Sequence, residues 1–218
     1  MRVAWIYPDS TGNTIRWQNA DGSGAPRQLP THGYAAFLFH FAPDGKSLVA
    51  VVGSPFRHDI VLLPLDSAGK PLAIASSPAD ELQATMSPDG RWVAYSSNET
   101  GRAEVFVTSV DDPSTKVQVT TDGGAEPTWR ADGKTLVVRS GALLEITLSF
   151  TPRIEVTRRD TLFADVFRRG SADRSYDVMA KTGDVVALAR DRATRDRIVV
   201  VTGWLDELRQ RMAQASSP

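Results

Sequence analysis

The feature that most limits what this chain can fold into is a hexapeptide that returns at a near-constant interval. Phe41-Ala42-Pro43-Asp44-Gly45-Lys46 comes back as Met86-Ser87-Pro88-Asp89-Gly90-Arg91 and as Trp129-Arg130-Ala131-Asp132-Gly133-Lys134. A worn copy follows at Met179-Ala180-Lys181-Thr182-Gly183-Asp184, and the steps from glycine to glycine are 45, 43 and 50 residues. Each copy has a physical job. Pro presets φ for the first turn position, Asp bonds the local backbone, and Gly accepts the positive φ that a tight reversal needs.

An apolar run follows every copy, as in Ser47-Leu48-Val49-Ala50-Val51-Val52, Trp92-Val93-Ala94-Tyr95, Thr135-Leu136-Val137-Val138 and Val185-Val186-Ala187-Leu188. A second run comes after each, at Ile60-Val61-Leu62-Leu63, Val105-Phe106-Val107, Leu143-Leu144-Glu145-Ile146 and Ile198-Val199-Val200-Val201. These runs are short, rich in β-branched residues and bounded by turn formers, so they read as strands. Four short strands in every ~40–45 residues is the period of a propeller blade. The fold class is therefore all-β: a β-propeller of four-stranded antiparallel blades, with three whole and two partial blades in this chain.

The blades are expected at about 1–30, 35–75, 80–120, 125–157 and 174–202, with the propeller spanning 1–203. The first lacks its innermost strand and the last its outer one. Two arrangements follow from that count. The chain is part of a longer propeller, which is the preferred reading, or the partial blades meet in a distorted five-bladed ring. Open blade edges invite pairing with other chains, so a fragment is expected to self-associate. The segment 204–218 is read as a short amphipathic helix and tail: Leu205, Leu208 and Met212 share one face, and Glu207 stands four residues before Arg211.

Composition removes several function classes. There is no cysteine among the 218 residues, so no disulfide framework, thiol nucleophile or cysteine-held zinc is available. The net charge of −1 lacks the basic excess of a general nucleic-acid binder. No apolar run approaches the ~20 residues of a membrane-spanning helix. The three histidines, His32, His40 and His58, lack zinc-helix spacing, and His40 between Phe39 and Phe41 reads as a core or channel histidine. No Gly-x-Ser-x-Gly elbow is present. Asp9-Ser10-Thr11-Gly12-Asn13 lacks the alternating acids of a calcium loop and reads as a hairpin turn. No motif requires a cofactor or a metal.

The run Ser96-Ser97-Asn98-Glu99-Thr100-Gly101-Arg102-Ala103-Glu104-Val105-Phe106-Val107 resembles the signature hairpin of TolB-type, WD-like propeller repeats. So does Thr121-Asp122-Gly123-Gly124-Ala125-Glu126-Pro127-Thr128-Trp129 leading into its turn. The order of these segments, continued by Val138-Arg139-Ser140-Gly141, Tyr176-Asp177-Val178 and the Trp204-Leu205-Asp206-Glu207-Leu208 segment, is similar to the C-terminal propeller of bacterial eukaryotic-type serine/threonine protein kinases. Ala131 and Ala180-Lys181 depart from the repeat pattern, and looser turns are expected there. Kinase catalytic motifs are absent: Arg158-Arg159-Asp160 has Asp165 where the catalytic loop requires Asn.

The resemblance implies a non-catalytic interaction or ligand-sensing propeller at the C-terminal end of such a kinase. Two other readings stay open, a stand-alone TolB-like adaptor and the propeller of a prolyl-oligopeptidase-like enzyme. By family analogy the compartment is extracytoplasmic. Propellers bind at the mouth of the central channel, through loops carried on a rigid scaffold. The expected partner is a protein, a peptide or a small ligand. The candidate mouth residues are Arg57, His58, Asn98, Arg102, Glu104, Glu126, Trp129 and Arg130. Several have structural alternatives: Asn98 suits a left-handed turn, Trp129 a wedge between blades, and Glu104 an ion pair within its sheet.

Overall fold

The computed structural model describes residues 2–9, 12–31, 33–54, 57–66, 68–164, 174–189 and 197–201. His32, residues 190–196 and the helix expected within 204–218 lie outside them. Every element found is a strand. The first sheet holds β1 (Arg2–Asp9), β2 (Gly12–Asn19) and β3 (Arg27–Gln28). The second is β4 (Ala36–Phe41), β5 (Ser47–Ser54), β6 (Arg57–Pro64) and β7 (Leu72–Ala75). The third is β8 (Glu81–Met86), β9 (Trp92–Ser97), β10 (Glu104–Ser109) and β11 (Lys116–Gln118). The fourth is β12 (Ala125–Trp129), β13 (Thr135–Arg139), β14 (Ala142–Ser149) and β15 (Glu155–Ala164), and the fifth is β16 (Tyr176–Val178), β17 (Val185–Ala189) and β18 (Arg197–Val201). Neighbouring strands in each sheet follow one another in sequence and pair antiparallel, the meander of a propeller blade.

The repeated turns close these meanders as their chemistry demands. Gly45, Gly90 and Gly133 have φ of 63°, 73° and 65°, and their N–H groups donate to the carbonyls of Ala42, Ser87 and Arg130. The aspartates accept from the backbone two residues on: Asp44 from Lys46 at 2.8 Å, Asp89 from Arg91 at 3.1 Å and Asp132 from Lys134 at 2.8 Å. Ala131 therefore leaves its turn as tight as the others, contrary to the expectation of looseness there. The worn copy is wider. Gly183 N–H reaches back four residues to Met179 O, and Thr182 Oγ1 takes the aspartate's place in accepting from Asp184 N–H.

Successive side chains of a strand point to opposite faces, and here each face meets a different neighbouring sheet. On β5, Leu48, Ala50 and Val52 pack with Ile15 and Leu29 of the first sheet's region, while Val49 and Val51 pack with Val93, Tyr95 and Met86 of the third sheet. On β9, Val93 and Tyr95 face back to the second sheet, whereas Trp92 and Ala94 join Leu136, Val138 and Ile146 of the fourth. On β13, Val137 belongs to the next interface, with Tyr176, Val185 and Ala187. The inner strands are apolar on both faces because each is sandwiched, and this explains their near-continuous hydrophobic runs. Trp129 fills the space between the third and fourth sheets. Its indole N–H donates to Thr85 O at 3.2 Å, and Phe150, 6.3 Å from it, also stacks on Trp92 at 4.4 Å.

Candidate functional site

Strand register decides which residues share an end of the blades. Glu81, at the start of β8, pairs with Ser97 at the end of β9, which pairs in turn with Glu104 at the start of β10. Ala125 of β12 likewise pairs with Arg139, the last residue of β13. The entries to the inner strands and the hairpins between the two middle strands thus lie together. The Pro-Asp-Gly turns lie at the opposite end.

Between the third and fourth sheets this first end opens into a cavity of about 450 Å³, lined by Asp80, Gln83, Ser96, Asn98, Asp122, Gly123, Glu126, Arg139 and Ser140 among others. Six of the eight sequence candidates belong to this end: Arg57, His58, Asn98, Arg102, Glu104 and Glu126. Trp129 and Arg130 do not. Trp129 ends β12 at the turn side, where it is the wedge described above, and Arg130 follows it. Arg130 there forms an ion pair with Glu145 and donates to Gly183 O at 2.8 Å.

The polar groups of the mouth hold one another in place. Asp80 accepts the backbone N–H of His58 at 3.0 Å and contacts His58 Nδ1 at 2.6 Å, while its own N–H donates to Asn98 Oδ1 at 2.9 Å. Phe37 meets the His58 ring edge-on at 5.1 Å. Asn98 does not take a left-handed conformation; Gly101, three residues later, does, with φ of 92°. Arg57 faces Asp59 at 3.6 Å and is exposed.

Glu104 is 1% exposed and accepts from Thr120 Oγ1, from Gly123 N–H at 2.9 Å and from Arg102 Nε at 2.7 Å. Burial pushes its carboxyl up, and these donors outweigh burial, leaving it below the usual carboxylate range. Arg102 also donates to Thr121 O, so it clamps the loop that enters β12.

Glu126 is 3% exposed. Its Oε1 accepts from Arg139 Nη1 at 2.9 Å, and its Oε2 accepts from Ser175 N–H at 2.7 Å and Ser175 Oγ at 2.6 Å. The one proton of the Tyr176 hydroxyl is shared between Glu126 O and Val137 O; burial raises this phenol well above its ordinary value. On the other side Glu126 N–H donates to Gln83 Oε1 at 2.9 Å, and Gln83 Oε1 also accepts from Ser96 Oγ at 2.9 Å. A continuous polar chain thus runs from β8 through β12 to the lead into β16.

Asp80, Gln83, Asp122, Arg139 and Ser140 were not among the sequence candidates. For Gln83 a signal existed: it stands seven residues before Gly90, as Glu126 stands seven before Gly133. Asp80, Asp122 and Ser140 sit on loops and Arg139 ends β13, where no type of side chain recurs from repeat to repeat to mark them as site residues.

No family model matches the sequence, and no curated protein matches it. Solved structures do. TolB from Acinetobacter baumannii matches with a TM-score of 0.67 over 91% of this chain and 49% of its own, at 18% identity. A puromycin-hydrolyzing peptidase of Mycobacterium tuberculosis matches with a TM-score of 0.62 over 92% of this chain and 35% of its own, at 18% identity. A putative TolB from Agrobacterium tumefaciens matches with a TM-score of 0.58 over 94% of this chain and 78% of its own, at 15% identity. The chain spans about half the length of the first of these and about a third of the second. At such identities the likeness is one of architecture: the chain is folded as a TolB-type β-propeller.

Proposed function

We propose that this chain is a non-catalytic binding propeller that engages a peptide or protein segment through the mouth between its third and fourth sheets. The observation that carries the reading is the cavity of about 450 Å³ whose polar walls are already cross-tied, as Asp80 is to His58 and Glu126 to Arg139 and Ser175. A surface fixed in advance loses little side-chain freedom on binding, which favours recognition. Among the described residues no serine or threonine hydroxyl is hydrogen-bonded to His58 Nε2, the nitrogen that would act as base with Nδ1 held by Asp80. That arrangement supports binding over acyl transfer.

The order of the repeat segments supports placing the chain at the C-terminal, sensing end of a bacterial serine/threonine kinase. A second reading draws on the peptidase among the similar structures: the propeller would then control access to a hydrolase domain elsewhere in a longer protein. The sequence encoded on either side separates them, kinase motifs upstream favouring the first and a hydrolase downstream the second.

The binding reading is tested with a displayed library of random peptides, selected on the purified chain. Ala103 is exposed and lines the cavity, so Ala103→Trp fills the mouth without touching the core. Selected peptides should bind the parent chain and lose binding to this variant. Peptides that bind both equally, or turnover of ATP, peptides or esters abolished by one substitution, would overturn the proposal.

A further inference from the structure

Adjoining the mouth at Gln83 is a second cavity, of about 170 Å³, lined by Leu38, Phe39 and His40 of β4, Val49 and Val51 of β5, Gln83 and Ala84 of β8, and Arg174. Its walls come from β4 and β5 of the second sheet, β8 of the third and the segment before β16, so it lies between sheets. Arg174 enters it from the segment leading into β16. The contact made by this guanidinium among the described residues is a long hydrogen bond from Nη1 to Thr128 Oγ1 at 3.4 Å, and no carboxylate pairs with it there. A fork of five donors held in a concavity thus meets one weak acceptor among the described residues.

Its neighbours are donors too. Gln83 gives its carbonyl oxygen to Ser96 and Glu126, so its amide NH₂ remains, with no partner among the described residues. His40 Nε2 accepts Met86 N–H at 3.4 Å, which leaves Nδ1 of the neutral ring as the protonated nitrogen. Burial, with Arg174 adding to it, lowers the His40 pKa to about 4, so the ring is neutral at physiological pH. Among the described residues lining the cavity there is no acid. We infer that this cavity binds a small oxyanion, a carboxylate or phosphate group held by Arg174, with Gln83 and His40 as the supporting donors. The size of the cavity suits such a group and not a whole peptide. The inference stands whether or not the mouth takes a peptide, because Arg174 and His40 line this cavity and not the mouth, which shares Gln83 alone with it.

The experiment is an NMR titration of the His40 ring resonances in the 218-residue chain, with acetate, with inorganic phosphate, and with triglycine bearing a free or an amidated C-terminus. Saturable shifts with at least one oxyanion are expected. Arg174→Gln should weaken that binding by about tenfold or more, since charge-assisted hydrogen bonds are the strong ones. It should leave the thermal melt near that of the parent, because Arg174 makes one weak contact. Gln83→Ala should weaken binding less.

Response to free-acid but not amidated triglycine would identify the source as a peptide end; response to acetate or phosphate alone would identify a free small anion. Absence of any saturable shift, or undiminished binding by folded Arg174→Gln, would overturn the inference. Failure here leaves the displayed-peptide result untouched, and the reverse also holds.

Discussion

Gln83 and Glu126 occupy the same position in consecutive repeats and are hydrogen-bonded to each other, Glu126 N–H to Gln83 Oε1 at 2.9 Å. Both have positive φ, 55° and 56°, the described residues other than glycine that do so. Each sits in a bulge of its inner strand, between Leu82 and Thr85 and between Ala125 and Thr128. Left-handed backbone costs a non-glycine residue about 1–3 kcal/mol and persists only where the surroundings enforce it. Here the enforcement is the polar chain that the two side chains carry between sheets. Glu126→Ala should therefore cost about 3–5 kcal/mol by breaking a buried ion pair, and Gln83→Ala about 1–3 kcal/mol. Urea unfolding of the double variant should show the two losses to be non-additive by more than about 0.5 kcal/mol.

Glu104 gives the fold an acid-sensitive clamp. Its folded-state carboxyl titrates below its ordinary range, so the unfolded chain binds the proton more readily. The stability it supplies is present above the unfolded value of about 4.3 and is lost as pH falls through the lower folded value. Glu104→Gln should lower stability at neutral pH by about 1–3 kcal/mol, because the amide cannot accept at both ends. It should also flatten the acid limb of a plot of stability against pH.

Glu81 has the opposite sign. It is 1% exposed, accepts from the Ser77 hydroxyl, and has no hydrogen-bond partner at Oε2. Burial raises its carboxyl above the usual range, and the Asp59 charge acts in the same direction. Ionising it costs the folded state stability as pH rises through that raised value, and acidification relieves the cost. Glu81→Gln keeps an acceptor for Ser77 and removes the charge. Thermal melts between about pH 5 and about pH 8 should show the variant more stable than the parent at the upper end and equal to it at the lower.

Trp129 separates stability from recognition. Trp129→Ala should cost about 3–5 kcal/mol through the void left between two sheets. Below its lowered melting temperature the variant should still bind mouth-directed peptides as the parent does, since the indole is at the far end of β12. Calorimetric titration at low temperature checks this.

The architecture was legible because the Pro-Asp-Gly turns state their own geometry: proline, aspartate and glycine each have one conformational use there. The worn turn at Lys181-Thr182 was legible as worn, and it is the one that widened. That six of the candidate residues share one end of the blades was legible for the same reason, since they flank the repeated strands at fixed offsets. Trp129 and Arg130 were placed at the wrong end because an inner strand touches both ends of the blade, and apolar content does not say which. The strained backbone at Gln83 and Glu126 was illegible for a deeper reason. Neither residue type favours positive φ, so the conformation comes from hydrogen bonds between separate repeats. Arg174 was missed because no repeat residue announces it; its place in the second cavity depends on β4, β5 and β8 meeting the segment before β16.

The alternation of β5, β9 and β13 between two neighbours makes the odd and even positions of one strand answer to different parts of the molecule. Leu136 and Val138 belong to the packing with the third sheet, and Val137 to the packing with the fifth. Adjacent letters of the sequence are thus independent variables, and an interface can be redesigned by changing alternate residues while leaving its companion intact. A chain of such interfaces behaves as a nearest-neighbour array. Units can be added or exchanged at a seam, provided that the residues of matching parity travel with them.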